Sequence, residues 1–419
     1  MSQFTVSATY WIETPLSLNE AAEMIATEQS TGTFVALPGE TQRLKDEHRA
    51  RVASVCELGR ASRPALPGAL TPDDGEYRQG RVTIDFAYDN IGPSIPNLLA
   101  TVAGNLFELK QLSGIRLVDI EVPRDFLSRY RGPGFGISGT RAVGAVFDRP
   151  IIGTIIKPSI GLAPDALRRL VRTLAEAGVD FIKDDEVNAN PPYLPFERRF
   201  SLVMEELIRA RQRTGKQVIY AANITDDLEQ MLHHHDVVVE GGGNCIMVSI
   251  NSVGWAALQH LRQRTQVPIH GHRNQWGALT RYPGLGMDFL VYQKLCRLVG
   301  VDHLHTNGLS NKFYESDQSV QASVRACLTP WMDLKPIMPV LSSGQWAGLA
   351  GPSYQAFQTV DLMHLAGGGI MAHPGGVAQG VASMRQGWEA ALASLTAQAY
   401  ASSHPALAAA MEMFGRRSS

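Results

Sequence analysis

Residues 151–186 read IIGTIIKPSIGLAPDALRRLVRTLAEAGVDFIKDDE, with two short apolar runs on either side of a helical segment. The runs at 151–158 and 179–186 are rich in β-branched residues, which is typical of strands. Between them, Pro164–Ala177 has the apolar spacing of an amphipathic helix. Strands that are almost continuously apolar are usually buried on both faces. The stretch therefore predicts a strand–helix–strand unit whose parallel strands are covered by helices.

The same pattern repeats through the C-terminal part of the chain. Further apolar runs follow at 217–225, 244–250, 267–273, 301–307, 337–344 and 364–370. Helical segments, such as those at 195–213, 255–264 and 289–299, separate most of them. Eight such units in roughly 240 residues have the size of a closed (β/α)₈ TIM barrel. A doubly wound open sheet is the alternative, but it usually carries its Gly-rich loop after the first strand, where this chain has Lys157-Pro158-Ser159. The barrel is favoured.

The first 140 residues follow a different pattern. Strands are predicted at 4–13, 51–58, 81–88 and 115–122, and helices at 19–28 and 95–106. Their lack of strict alternation predicts an α+β (ferredoxin-like) domain with an antiparallel sheet. We therefore expect an α/β protein with an N-terminal domain at residues 1–140 and a barrel domain with C-terminal helices at residues 141–419. The Gly-rich stretch 129–141 is the predicted linker.

Composition excludes several classes of function. The 38 lysines and arginines nearly balance 40 aspartates and glutamates, so the chain lacks the charge expected for binding nucleic acid or an anionic membrane. No run of about 18 apolar residues occurs, and the N-terminal sequence lacks the features of a signal peptide. The 4 cysteines are far apart, without a C-x-x-C pair, which argues against structural zinc and disulfides. We expect a cytoplasmic protein.

Polar residues interrupt the apolar strands almost only at their C-terminal ends, which is where (β/α)₈ barrels place their active sites. A lone histidine at a strand end is more often structural than catalytic, but the convergence of many ionisable groups predicts a catalytic site. The residues concerned are Lys157, Lys183, Asp184, Asp185, Glu186, His272, Arg273, His305, Ser342, Ser343, Gly344, Gly367, Gly368 and Gly369.

Lys183, Asp185 and Glu186 have two interpretations. Two carboxylates form an oxygen site suited to Mg²⁺, which also takes waters and substrate oxygens. A salt bridge between Lys183 and its neighbours is at least as compatible with the residue types, since an ammonium cannot ligate a cation. Carbamylation of Lys183 by CO₂ would convert it into a third anionic ligand.

The loops after the last two predicted strands contain Ser342-Ser343-Gly344 and Gly367-Gly368-Gly369. Loops at these positions of a barrel often hold a phosphate through backbone N–H groups. Arg273 and His305 could bind a second anionic end. Glycine is also needed in tight turns, so the position after the eighth strand is the stronger part of this evidence.

These motifs together resemble the large subunit of ribulose-bisphosphate carboxylase (RuBisCO). The resemblance covers nearly the whole chain, and its Lys-Asp-Asp-Glu strand is highly specific. The matching segments are GTIIKP at 153–158, DFIKDDE at 180–186, HGHR at 270–273, DHLH at 302–305, GGG at 367–369 with HP at 373–374, and, in the N-terminal part, Glu28, STGT at 30–33 and GN at 104–105.

The resemblance implies a role for each matching position. Lys183 would be carbamylated and would bind Mg²⁺ with Asp185 and Glu186. Lys157 would transfer a proton near the reacting carbon, and His272 would bind substrate hydroxyls.

The resemblance also implies substrate contacts and a homodimer. Arg273, His305 and Ser342 would hold one anionic end, while Thr33, Gly344, Gly367 and Gly368 would hold a phosphate at the other. Lys312 matches a lysine in a mobile loop that covers the substrate. Glu28 and Asn105 would reach into the active site of a neighbouring subunit.

Several departures separate this chain from the carboxylases of the family. Ser159 replaces the second lysine of Lys-Pro-Lys, and Trp276 stands where a histidine is expected. Ile155 replaces a threonine, and Ser343 replaces a glycine. Losing a lysine and a histidine is hard to reconcile with CO₂ fixation, so the chain is identified as a RuBisCO-like protein of the form IV branch.

Such a protein would form an enediolate on a phosphorylated ketose or sugar acid. Because Lys157 and the three metal-site residues are retained, we favour decarboxylation, or transcarboxylation and hydrolysis, of 3-oxo-isoapionate 4-phosphate. The alternatives are an enolase or isomerase of methylthio sugar phosphates in methionine salvage, and a non-catalytic sensor of sugar phosphates.

Overall fold

A computed structural model describes residues 4–32 and 39–415 of the chain. Its strands are β1 (Thr5–Thr14), β2 (Arg51–Ala61), β3 (Tyr77–Ala87), β4 (Gly114–Glu121), β5 (Ile151–Ile155), β6 (Phe181–Lys183), β7 (Ile219–Asn223), β8 (Cys245–Ser249), β9 (Ile269–His272), β10 (Leu285–Met287), β11 (His303–His305), β12 (Met338–Leu341) and β13 (Met363–Leu365).

Its α-helices are α1 (Leu18–Glu28), α2 (Gln42–His48), α3 (Ile95–Val102), α4 (Gly136–Gly144), α5 (Pro164–Glu176), α6 (Phe196–Thr214), α7 (Leu228–Glu240), α8 (Ile250–Val253), α9 (Trp255–Arg264), α10 (Trp276–Thr280), α11 (Phe289–Val299), α12 (Asp317–Leu328), α13 (Ala350–Phe357), α14 (Gly368–Met371), α15 (Val377–Leu392), α16 (Ala397–Ala401) and α17 (Pro405–Gly415). None of the helices in the described ranges has the length and apolar character of a membrane span.

The chain forms two compact units, of which the first runs to Arg131 and also takes in Gln275–Leu298. Its sheet has the order β10-β4-β1-β3-β2. The strands β1 to β4 pair antiparallel, as predicted, whereas β10 adds in parallel beside β4. The sheet is therefore mixed, because a segment far along the sequence supplies its edge strand. The predicted helix at 289–299 is present as α11, but it groups with this unit.

Helix α1 shows how local sequence sets the elements of this unit. The Ser17 side chain accepts from the backbone N–H of Glu20, and the Glu20 carboxylate accepts from the backbone N–H of Ser17. This capping box satisfies two N–H groups that the first helical turn leaves without partners. The apolar face of α1, which includes Ile25, is buried.

The second unit contains Gly132–Asn274 and Val299–Ser419 within the described ranges, and its strands form the predicted closed barrel in the order β11-β12-β13-β5-β6-β7-β8-β9. All neighbouring pairs are parallel. Apolar side chains fill the interior, among them Ile151, Phe181 and Met247. Gly153 allows the strands to approach, since a Cβ there would lie 2.9 Å from the backbone oxygen of Phe181.

The structure differs from the predicted elements at two points. The eighth strand ends at Leu365, and the glycine run instead leads into the short helix α14. The predicted linker at 129–141 overlaps α4, because Gly136 begins a helix that continues to Gly144. The Ala-rich C-terminal segment is helical, as predicted, and α15 packs against α5 and β5 of the barrel.

Candidate active site

Lys157 and Asp185 meet at the C-terminal ends of β5 and β6. Nζ of Lys157 lies 2.5 Å from Oδ2 of Asp185 and 2.7 Å from Oγ of Ser159. Burial would raise the pKa of Asp185. The hydrogen bond from Lys157 and the charges of Lys183 and Lys157 outweigh that effect and lower it. Asp185 is therefore an ionised carboxylate that forms an ion pair with the ammonium group of Lys157.

Lys183 is the last residue of β6 and is fully buried. Its Nζ donates to the backbone oxygen of Asp184 at 2.7 Å and lies 3.7 Å from Oε2 of Glu186. Burial lowers the pKa of Lys183, although the neighbouring carboxylates oppose the shift. Burial thus shifts Lys183 toward the neutral amine.

Asp184 and Asn223 hold this strand end in place, a role that the sequence analysis did not identify. Both oxygens of Asp184 accept from the Tyr220 hydroxyl at 2.9 Å, and Arg199 lies 3.2 Å from Oδ2. The Asn223 side chain donates to the backbone oxygen of Asp185 at 3.0 Å. Asn223 is the polar last residue of β7, which is the signal that could have revealed it.

His272 ends β9 and faces Glu186, with 3.5 Å between Nε2 and Oε2. Burial and the charge of Lys183 lower the pKa of His272 to about 4. The ring is therefore neutral near pH 7 and can donate or accept one hydrogen bond at each nitrogen.

A chain of hydrogen-bonded histidines crosses the barrel interior beside His272. Nε2 of His305 lies 2.9 Å from Nε2 of His270, and Nδ1 of His305 lies 2.9 Å from Oγ of Ser342. Nδ1 of His270 lies 3.4 Å from Nδ1 of His303, whose Nε2 lies 2.8 Å from Oγ1 of Thr140. Both ring nitrogens of His305 are therefore used within the protein.

Arg273 is paired with a carboxylate that the sequence analysis did not identify. Its Nη2 and Nη1 atoms lie 2.5 and 3.3 Å from the two carboxylate oxygens of Glu315, and both side chains are only 6% exposed. Because Glu315 lies 42 residues further along the chain, no local pattern linked the two.

The remaining predicted phosphate contacts lie around the ends of β12 and β13. The backbone N–H of Lys312 donates to Ser343 at 3.3 Å, and a Cβ on Gly344 would lie 3.5 Å from Lys312. A Cβ on Gly367 would lie 3.7 Å from Cε of Lys157, whereas one on Gly368 would meet open space. Backbone at Gly367 and Gly368 is therefore accessible beside Lys157.

The N-terminal residues predicted for the site belong to the first unit. Glu28 is the last residue of α1, and Asn105 begins a 3₁₀ turn, Asn105–Glu108. Thr33 lies outside the described residues. Trp276, at the position of an expected histidine, packs against Phe289 and Tyr292 within the first unit.

The chain is similar to known proteins over most of its length. Residues 5–126 match the family "Ribulose bisphosphate carboxylase large chain, N-terminal domain", and residues 136–414 match the corresponding catalytic domain. A 3-oxo-isoapionate-4-phosphate transcarboxylase/hydrolase of Xanthobacter autotrophicus is 48% identical over 97% of this chain and 98% of its own. A 3-oxo-isoapionate-4-phosphate decarboxylase of Rhizobium rhizogenes is 44% identical over 98% of both chains. The crystal structure of a rubisco-like protein from Burkholderia fungorum has a TM-score of 0.91 at 44% identity, covering 98% of this chain and 100% of that one.

Proposed function

Since the chain belongs to the ribulose bisphosphate carboxylase large-chain family, we propose that it is a RuBisCO-like, Mg²⁺-dependent enzyme acting on 3-oxo-isoapionate 4-phosphate. The reaction breaks a bond to a carboxyl carbon, by decarboxylation or by transcarboxylation and hydrolysis, and passes through an enediolate of the substrate. Relatives that are 44% and 48% identical over nearly the whole chain carry these two activities in their names.

The observation that carries the proposal is the ion pair of Lys157 with Asp185. Loss of a carboxyl group as CO₂ leaves its electron pair on the adjacent carbon and ketone oxygen, and carbon must then receive a proton. Lys157 holds a proton at Nζ, 2.5 Å from Asp185, and its side chain is 39% exposed. A proton carrier is thus positioned at the edge of the predicted metal site.

The residues present fit a bound Mg²⁺ only if Lys183 takes part. Among the described residues, no three His, Cys, Asp or Glu side chains converge on a metal site. Asp185 and Glu186 therefore need a third ligand, and Lys183 lies 3.7 Å from Glu186. CO₂ reacts with a neutral amine, the form that burial of Lys183 favours. When bound, Mg²⁺ supplies a Lewis acid that stabilises negative charge on substrate oxygens.

The backbone at Gly367 and Gly368 suits the substrate phosphate. Helix α14 begins at Gly368, and first-turn N–H groups lack partners within their own helix. Gly367 lies beside the Lys157 side chain, so an anion bound to this backbone has a cation next to it. Gly367 and Gly368 are assigned to phosphate binding on this basis, and Gly344, which lies beside Lys312, is assigned to it from the resemblance to the family.

The test is ¹H and ¹³C NMR of the products formed by the purified protein with Mg²⁺, bicarbonate and 3-oxo-isoapionate 4-phosphate. An erythrulose phosphate and CO₂ identify a decarboxylase, and a phosphoglycerate and glycolate identify a transcarboxylase/hydrolase. An unchanged spectrum, with the metal site shown to be occupied, contradicts the proposal and directs attention to methylthio sugar phosphates. A non-catalytic sensor would keep its biological output in Lys157→Met and Lys183→Ala variants, whereas an enzyme would lose turnover in both.

We also propose a homodimer with shared active sites, which the resemblance to the family implies. Glu28 and Asn105 belong to the first unit and Lys183 to the barrel, so each variant would damage a different half of a shared site. Mixing Lys183→Ala with Asn105→Ala should therefore restore part of the activity. No recovery from demonstrated heterodimers would contradict shared sites.

A further inference from the structure

The site half formed by Arg273, His305 and Ser342 offers little to a second phosphate. Arg273 is engaged in a bidentate ion pair with Glu315, and both side chains are almost fully buried. The carboxylate of Glu315 neutralises the positive charge that would otherwise attract a dianionic group. A phosphate here would have to displace Glu315 or lie against its negative charge.

Glu315 is held in this position from a second side. The amide of Asn307 donates to the Glu315 carboxylate, and the Ser343 hydroxyl donates to the Asn307 side-chain oxygen at 2.7 Å. Asn307 has a φ of 60°, in the left-handed region that asparagine tolerates better than most residues. The left-handed backbone at Asn307, in the turn after β11, thus orients its side-chain amide toward Glu315.

The other two residues of this half are also bonded within the protein. His305 lies within 2.9 Å of His270 through Nε2 and within 2.9 Å of Ser342 through Nδ1. A phosphate accepts hydrogen bonds only, and neither nitrogen of His305 is left to donate to it. A substrate hydroxyl, which can both donate and accept, fits these groups better.

We infer that Glu315 determines the charge specificity of the site, so that it accepts a substrate with one phosphate and places an uncharged, hydroxyl-bearing end against Arg273, His305 and Ser342. The inference rests on the proposed function, whose substrate carries a single phosphate, and it specifies which half of the site receives that phosphate. A sugar bisphosphate gains little from its second phosphate, because that group meets the Arg273–Glu315 pair.

The test compares arabinitol 5-phosphate with arabinitol 1,5-bisphosphate, which differ by one phosphate and cannot react. Isothermal titration calorimetry on the full chain with Mg²⁺ and bicarbonate gives both dissociation constants. The wild-type protein should bind the bisphosphate no more than about threefold more tightly, and Glu315→Gln should shift the ratio toward the bisphosphate by about tenfold or more.

Two further variants separate the effect from a general change of charge. Asp317→Asn removes a carboxylate from the same segment, where Asp317 accepts from the backbone N–H of Ser310, and should leave the ratio unchanged. Adding Arg273→Met to Glu315→Gln should abolish the gain, since the freed guanidinium is its source.

The inference is overturned if Glu315→Gln leaves the ratio unchanged, or if Asp317→Asn produces the same gain. A wild-type protein that binds the bisphosphate more than about threefold more tightly overturns it too. This comparison of the two ligands on the wild-type protein tests the inference even if the Glu315→Gln variant does not fold. Because binding is measured without turnover, a Glu315-dependent ratio in a protein that leaves 3-oxo-isoapionate 4-phosphate unchanged would contradict the proposed substrate and not the charge specificity.

Discussion

Nε2 of His270 lies 2.9 Å from Nε2 of His305 in the interior of the barrel. One ring must carry a proton at this contact and the other must accept it. The direction of this hydrogen bond follows from the other end of the histidine series, at Thr140. There the Thr140 hydroxyl donates to the backbone oxygen of Gly136 at 2.5 Å, so it accepts from Nε2 of His303.

The three linked histidines are neutral, so each ring donates one hydrogen bond and accepts one. Burial lowers the pKa of His303 to about 3, so its Nδ1 carries no proton and accepts from Nδ1 of His270. Burial also holds the pKa values of His270 and His305 well below their usual range. Nε2 of His270 therefore accepts from His305, and Nδ1 of His305 accepts from the Ser342 hydroxyl. Ser342 is left to present an acceptor toward the site.

The first prediction concerns Thr140, which fixes this order. Thr140→Val leaves the N–H of His303 buried without an acceptor, which should lower the free energy of unfolding by about 1–3 kcal/mol. Thr140→Ser keeps the hydroxyl and should cost less than about 1 kcal/mol. Urea unfolding of both variants measures the difference. Equal decreases in the free energy of unfolding would show that the Thr140 hydroxyl does not fix the order of hydrogen bonds among the histidines.

The second prediction concerns Lys157. Lys157→Met removes the proton carrier and should lower kcat by about 10²- to 10⁴-fold, the usual contribution of one acid–base group. Ser159→Ala removes one of the two hydrogen bonds that orient Lys157 and should lower kcat by less than about tenfold. Steady-state kinetics with the substrate found by NMR measures both. Equal, small losses would assign the proton transfer to another residue.

The third prediction concerns the carbamate on Lys183. With ¹³C-labelled bicarbonate and Mg²⁺, ¹³C NMR should show a protein-bound carbamate that is absent in Lys183→Met. Since the neutral amine reacts, the signal should grow as the pH rises, and burial should move its onset below the ordinary range of lysine. Lys157→Met, which keeps Lys183, should retain the signal. A signal that persists in Lys183→Met would exclude this site.

The fourth prediction concerns the stability of the barrel in acid. Burial lowers the pKa of His364 to about 3, and its Nδ1 accepts from the Trp388 indole at 2.9 Å. Unfolded chains bind this proton near pH 6.5, so between about pH 6.5 and 3 only the unfolded state is protonated. The free energy of unfolding should therefore decrease as the pH is lowered through this range, by up to about 1.4 kcal/mol per pH unit for this residue.

Urea unfolding at several pH values below 7 tests this dependence. His364→Phe should be less stable at neutral pH, since the Trp388 N–H loses its acceptor, but its stability should fall less steeply in acid. His260→Gln, at an exposed position of α9, should follow the wild-type slope. An unchanged slope in His364→Phe would contradict a neutral, buried His364.

The fold could be predicted from the sequence to the extent that it depends on local periodicity. The apolar runs and helical segments fixed the closed barrel and the bounds of α9 and α11 within a residue. They did not reveal β10, since three residues at Leu285–Met287 have no period of their own and pair with β4 only in the folded chain. The glycine run extended the eighth predicted strand beyond Leu365, because the hydropathy of Gly368–Met371 does not distinguish a strand from one helical turn.

The sequence by itself determined which chemical groups stand at the strand ends, because a parallel barrel brings every C-terminal strand end to one face. It placed Lys157, Lys183, Asp185 and Glu186 there without reference to any long-range contact. Only the tertiary structure decided how those groups are paired. The ion pair of Arg273 with Glu315 joins positions 42 residues apart, and hydropathy and spacing carry no information on such a partner. Long-range contacts of this kind determine which charges are paired, which tautomer each histidine adopts and which buried groups are neutral. All three depend on burial and on distances between side chains, which only the folded chain defines.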